Sequence, residues 1–100
     1  MSLVSRFFSG VFLANAVPHG VSAVQGRRFP TPFASPPGVG LSGPAANAAW
    51  SALNAAAGTA LLGRRPAGPR ERAALLAGAT AMGFFLARYF GGVKERRGNG

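Results

Sequence analysis

The residues AALLAGATAMGFFLARYF, from Ala73 to Phe90, hold a single charged side chain, Arg88, close to the stretch's end. A helix needs about 20 largely apolar residues to cross the hydrocarbon of a bilayer. Leu75, Leu76, Met82, Phe84, Phe85 and Leu86 fall all around such a helix, so it has no polar face for water. Arg88 can snorkel outward, and Tyr89 suits the interfacial belt. This is the clearest span in the chain, and it sets how the remainder reads.

Immediately before it lies the connector GRRPAGPRER, residues 63–72, where Pro66, Gly68 and Pro69 predict a break in any helix. Further back, Pro44 to Leu62 (PAANAAWSALNAAAGTALL) is uncharged throughout, with Gly43 and Pro44 suited to the cap and first helical position. Its alanines favour helix, yet they contribute little to insertion, and Asn47 and Asn54 oppose it. A span of that kind needs neighbours. Residues 25–41, QGRRFPTPFASPPGVGL, are predicted to form an extended or turning loop, because Pro30, Pro32, Pro36 and Pro37 remove donors and restrict the residues before them. Gly38 and Gly40 permit a tight turn there. The first stretch, Leu3 to Val24, is long enough to span, although Asn15, Pro18 and His19 must then be placed in hydrocarbon or against protein.

These segments predict an all-α membrane protein of three transmembrane helices, about 3–24, 44–62 and 73–90, with a Pro-rich first loop and a short basic second loop. Residues 1–93 form one membrane domain, and residues 94–100 form a disordered basic tail. Composition agrees. The chain has 100 residues, 48% of them hydrophobic, and a formal net charge of +9. Only 13% are charged, against about 25% in soluble globular domains. The charges cluster at Arg27–Arg28, at Arg64–Arg72 and at Arg88–Arg97, which is how membrane proteins punctuate their spans. The N-terminus has a competing targeting reading: Ala14-Asn15-Ala16 has the small-x-small form of a signal cleavage site, and cleavage before Val17 would leave two spans. A mitochondrial transit segment is a further alternative, suggested by arginine, serine and the lack of acids.

The block FLANAVPHGVSAVQGRRFPTPFASPPGVGLSGPAANAAW, residues 12–50, resembles a family of small uncharacterised integral membrane proteins of high-GC Gram-positive bacteria. The likeness rests on the Asn-x-x-Pro-His element (Asn15, Pro18, His19) and the TPFASPPGVGLS loop (residues 31–42). It covers roughly the first 60 residues, with a looser likeness in the third span. The second span is richer in alanine than the resemblance implies. The resemblance implies fold and a cell-membrane location, and it carries no activity.

Familiar catalytic constellations are nearly excluded. With no cysteine, one histidine, no aspartate and only Glu71 and Glu95 as carboxylates, the chain lacks the ligands for a metal and the acid for a hydrolytic triad. No G-x-x-x-x-G-K-[ST] phosphate loop is present. The expectation is therefore a protein that is not an enzyme and uses no cofactor.

Polar residues inside the spans are the candidates for binding. Asn15 and His19, four apart, lie on one helical face. Asn47, Ser51, Asn54 and Gly58 recur at helical returns on the second span, and Trp50 borders them. They read either as packing glue between helices or as the lining of a ligand or ion cavity between spans one and two, formed by Asn15, His19, Asn47, Trp50 and Asn54. Ala74 with Gly78, and Ala79 with Gly83, permit close approach of helices within the chain or between copies.

The leading functional expectation is an accessory or structural component that packs with other membrane helices or with itself in the lipid bilayer. The alternatives are a channel component, transporter component or small-ligand binder using the intramembrane polar face, and a soluble basic binder of nucleic acid or anionic lipid. For the last, no basic helix face or interleaved aromatics are seen, so no specific nucleic-acid partner is expected. Three spans would place five Lys and Arg on one side and six on the other, so the positive-inside rule leaves orientation open.

Overall fold

The computed structural model describes residues 2–96, with the side chains of 94–96 left out of the description. Three helices dominate: α1 (Leu3–Val24), α2 (Pro44–Leu62) and α3 (Pro69–Arg96). Between α1 and α2 the chain forms a minimal antiparallel ribbon, β1 (Phe29–Pro30) with β2 (Leu41–Ser42), pairing Phe29 with Ser42 and Pro30 with Leu41. The bundle measures 45 × 24 × 20 Å.

Local chemistry explains the boundaries. The Ser2 hydroxyl accepts from the Ser5 N–H at 3.2 Å and starts α1. Pro18 lies within α1, where it cannot bond to the Ala14 carbonyl, and the helix continues past it. Gly43 caps α2 with Pro44 in its first turn, as the sequence predicts. The loop closes on itself, with the Gly38 N–H bonding to the Thr31 carbonyl at 2.7 Å and Gly38 at a φ of 75°. A side chain at Gly38 would also strike the Tyr89 hydroxyl.

α3 departs from the expected 73–90 at both ends. It starts at Pro69, because a proline in the first turn needs no amide partner, and the Arg72 N–H already bonds to the Gly68 carbonyl at 2.9 Å. It also runs through Gly91 and Gly92 to Arg96, into the segment predicted to be disordered; residues 97–100 of that segment lie outside the described residues. Glycine costs roughly 1 kcal/mol in a helix interior. Val93, 1% exposed, supplies the packing that offsets it.

α1 is the centre of the molecule. It packs along both α2 and α3, which barely touch each other. Two helices, α1 and α3, are long and apolar enough to cross a membrane. α2 is long enough at 19 residues but falls short in hydropathy, since its alanines are diluted by two asparagines.

Burial is inverted relative to a water-soluble fold. Among the described residues the buried polar and charged groups are Ser5, Arg6, Ser9, His19, Ser22, Thr31, Asn47 and Asn54, while Ala16 and Val93 are the buried hydrophobics. Large apolar side chains point outward instead: Val4, Phe8, Val17 and Val21 on α1, Leu53 on α2, and Leu76, Phe84 and Phe85 on α3.

Candidate functional site

The polar face read from the sequence is the seam between α1 and α2. Because the helices are antiparallel, partners ascend one and descend the other. The Ser5 hydroxyl donates to the Leu61 carbonyl at 2.7 Å and the Ser9 hydroxyl to the Gly58 carbonyl at 2.6 Å. The Asn15 amide donates to Asn54 Oδ1 at 2.9 Å. The Ser51 hydroxyl donates to the Ala16 carbonyl at 2.7 Å, and His19 Nδ1 meets Asn47 Oδ1 at 2.7 Å. Gly58 lets the backbones approach, since a Cβ there would enter Leu13.

Asn47 is the junction of this end of the molecule. Fully buried, its Nδ2 donates toward the carbonyls of Phe29, Ser42 and Gly43, each at 3.1 Å. One amide thus ties β1, β2 and the start of α2 together. Three carbonyl oxygens around that nitrogen fix which way the amide faces, so Oδ1 must be the atom facing His19. His19 therefore donates through Nδ1, and in the neutral ring Nε2 is left with a lone pair. Nε2 has no hydrogen-bond partner among the described residues.

The His19 ring, 3% exposed, is enclosed edge-to-face by Phe29, Trp50 and Phe90 at centroid distances of 5.3, 6.4 and 6.3 Å. Beside it opens a cavity of about 230 Å³. Asn15 and His19 contribute from α1, Trp50 from α2, and Met82, Phe85, Leu86, Tyr89 and Phe90 from α3. The loop covers it through Pro30, Thr31, Pro32 and Gly38, latched by the Tyr89 hydroxyl donating to the Gly38 carbonyl at 2.8 Å. The cavity exists because α2 and α3, each packed against α1, diverge from one another instead of packing together.

Of the residues singled out in the sequence, Asn15 and His19 line the cavity and Trp50 forms part of its wall. Asn47 and Asn54 lie behind them, Asn54 also donating to the Trp50 carbonyl at 2.9 Å. The sequence reading missed Ser5 and Ser9, although their spacing of four on the same stripe was a usable signal. It also missed the α3 aromatics, which approach His19 only through tertiary packing. Gly78 meets the Phe7 carbonyl and Gly10 meets the Leu75 carbonyl, so this close approach is internal to the chain, whereas Gly83 faces open space. No group of three or more potential metal ligands occurs among the described residues.

No protein-family model, no curated protein and no solved structure matches the chain.

Proposed function

We propose that the chain is a three-span integral protein of the cell membrane that serves as an accessory or structural component. The carrying observation is the inverted burial: Ser5, Ser9, His19, Asn47 and Asn54 face inward while Val4, Phe8, Val17, Val21, Leu53, Leu76 and Phe84 face out. In water that arrangement would expose the groups that gain most from burial. In lipid it is the favourable one, because unsatisfied polar groups are costly there and apolar ones are at home. It supports α2 as a third span despite its modest hydropathy, since Asn47 and Asn54 are both bonded inside the bundle. The apolar outer faces of α1 and α3 remain for lipid or for the helices of a neighbouring membrane protein. The proposed kinship with small membrane proteins of high-GC bacteria is compatible with this reading. Alkaline carbonate extraction tests it: the chain is expected to stay with the membrane pellet, and release into the supernatant would instead favour a soluble basic binder. The accessory role predicts that pull-down in mild detergent at native expression returns other membrane proteins or further copies; recovery of free monomer alone would count against it.

The cavity favours a second reading, binding of a small apolar ligand bearing one hydrogen-bond donor. His19 Nε2 is its acceptor and the aromatic wall its apolar contact. The reconstituted protein is expected to bind 2-naphthol, whose hydroxyl can donate to His19, more tightly than naphthalene. Leu86→Trp, which fills the cavity, is expected to abolish that preference at unchanged membrane abundance. Equal binding of both compounds would remove the reading.

A further inference from the structure

We propose that the opposite end of the bundle holds a binding site for a phosphate-bearing anion, centred on Arg6. Arg6 is the fourth residue of α1 and only 6% exposed. A guanidinium carries five N–H donors in a rigid planar fork. One bond is satisfied, from Nη2 to the Arg65 carbonyl at 3.1 Å, and among the described residues no carboxylate pairs with it. A buried charge in that condition is costly unless a counter-ion is supplied.

The surroundings raise the demand for an anion. Arg6 lines a recess of about 530 Å³ whose wall is formed by Leu62, Gly63, Arg64, Arg65, Pro66 and Glu71. Three guanidinium groups therefore share one recess with a single carboxylate. That carboxylate, its Oε1 close to Gly68 just before α3, makes no ion pair with Arg6. Arg64 and Arg65 are exposed at the rim, so their charges are free to close over a ligand that Arg6 anchors from beneath. Arginine is suited to phosphate because two parallel N–H groups match two phosphate oxygens.

Position narrows the source. The recess lies where α1 begins, α2 ends and α3 begins, one end of all three helices. In a bundle embedded as proposed above, that end stands at headgroup depth, where basic pockets between spans take anionic lipid. The lipid arm rests on the membrane reading; the anion site itself does not.

The test uses the full chain in nanodiscs of phosphatidylcholine with and without phosphatidylglycerol, reading retained lipid by native mass spectrometry. Wild-type protein is expected to retain phosphatidylglycerol several-fold above its share of the bilayer. Arg6→Gln is expected to lose that enrichment, and Arg27→Gln, at the other end, to keep it. Should Arg6→Gln fold poorly, the exposed pair Arg64→Gln and Arg65→Gln is expected to lower the enrichment with circular dichroism unchanged. A parallel arm in phosphatidylcholine alone adds inorganic phosphate. Thermal stabilisation that depends on Arg6, without enrichment of phosphatidylglycerol, would assign the site to a free anion and support the same chemistry. Neither enrichment nor phosphate stabilisation depending on Arg6, Arg64 or Arg65 would overturn the proposal. Failure to incorporate into nanodiscs at all would count instead against the membrane reading.

Discussion

α1 has two seams, and they are made by opposite means. Against α2 it is joined by a run of side-chain hydrogen bonds from Ser5 to His19. Against α3 it is joined by shape: Gly10 sits on the Leu75 carbonyl and Gly78 on the Phe7 carbonyl, with no side-chain hydrogen bond between the two helices over that contact. The first seam specifies register, because each donor has one acceptor at its level. The second depends on backbone proximity and dispersion, where small residues let helices come close.

The contrast is broken most severely at the glycines. Gly78→Leu places a side chain into backbone that cannot yield, so α3 must separate from α1. Overpacking typically costs about 1–3 kcal/mol, and the upper end is expected here. Gly83→Leu, on the open side of the same helix, is the control and is expected to change stability little. Steric-trapping measurements of unfolding in bilayers would check both. Equal losses would mean that the open face is itself covered by a partner.

Asn47→Ala comes next. It removes the His19 partner and the donor shared by three carbonyls, leaving buried groups unsatisfied at about 1–3 kcal/mol. Its particular mark is expected in the loop, as faster proteolysis between residues 31 and 40 than in Gly78→Leu. A loop equally protected in both variants would show that Asn47 is not what holds it.

The smallest effect is expected from Ser9→Ala. Interhelical hydrogen bonds in membranes average about 0.6 kcal/mol by double-mutant cycle, and one serine among several is not expected to exceed that. A cycle with Gly58→Ala would sharpen the comparison, since Gly58 supplies both the carbonyl that Ser9 uses and the space beside Leu13.

The hydrogen-bonded seam was largely legible in the sequence and the glycine seam only partly. Asn15 with His19, and Asn47 with Ser51, Asn54 and Gly58, recur at helical spacing, and amides or imidazoles in an apolar helix must find partners, so their facing one another follows from chemistry. Spacing alone does not distinguish Gly78, which meets α1, from Gly83, which meets nothing. The start of α3 at Pro69 was misread because a proline that breaks a helix and one that begins it look alike without the preceding acceptor, here the Gly68 carbonyl. The cavity was legible only from one side. Asn15, His19 and Trp50 were visible as its floor and wall, but the contribution of Met82, Phe85 and Phe90 depends on α3 diverging from α2, a property of three helices together.

The donor–acceptor run along α1 also bears on biosynthesis. In the three-span reading proposed above, an alanine-rich helix with two amides is a poor candidate for leaving the translocon unaided, whereas α1 precedes it in the chain and displays matching groups along its length. On that reading α1 is held until α2 arrives beside it, and the pair enters the bilayer together as a hairpin, the proline segment serving as its bend.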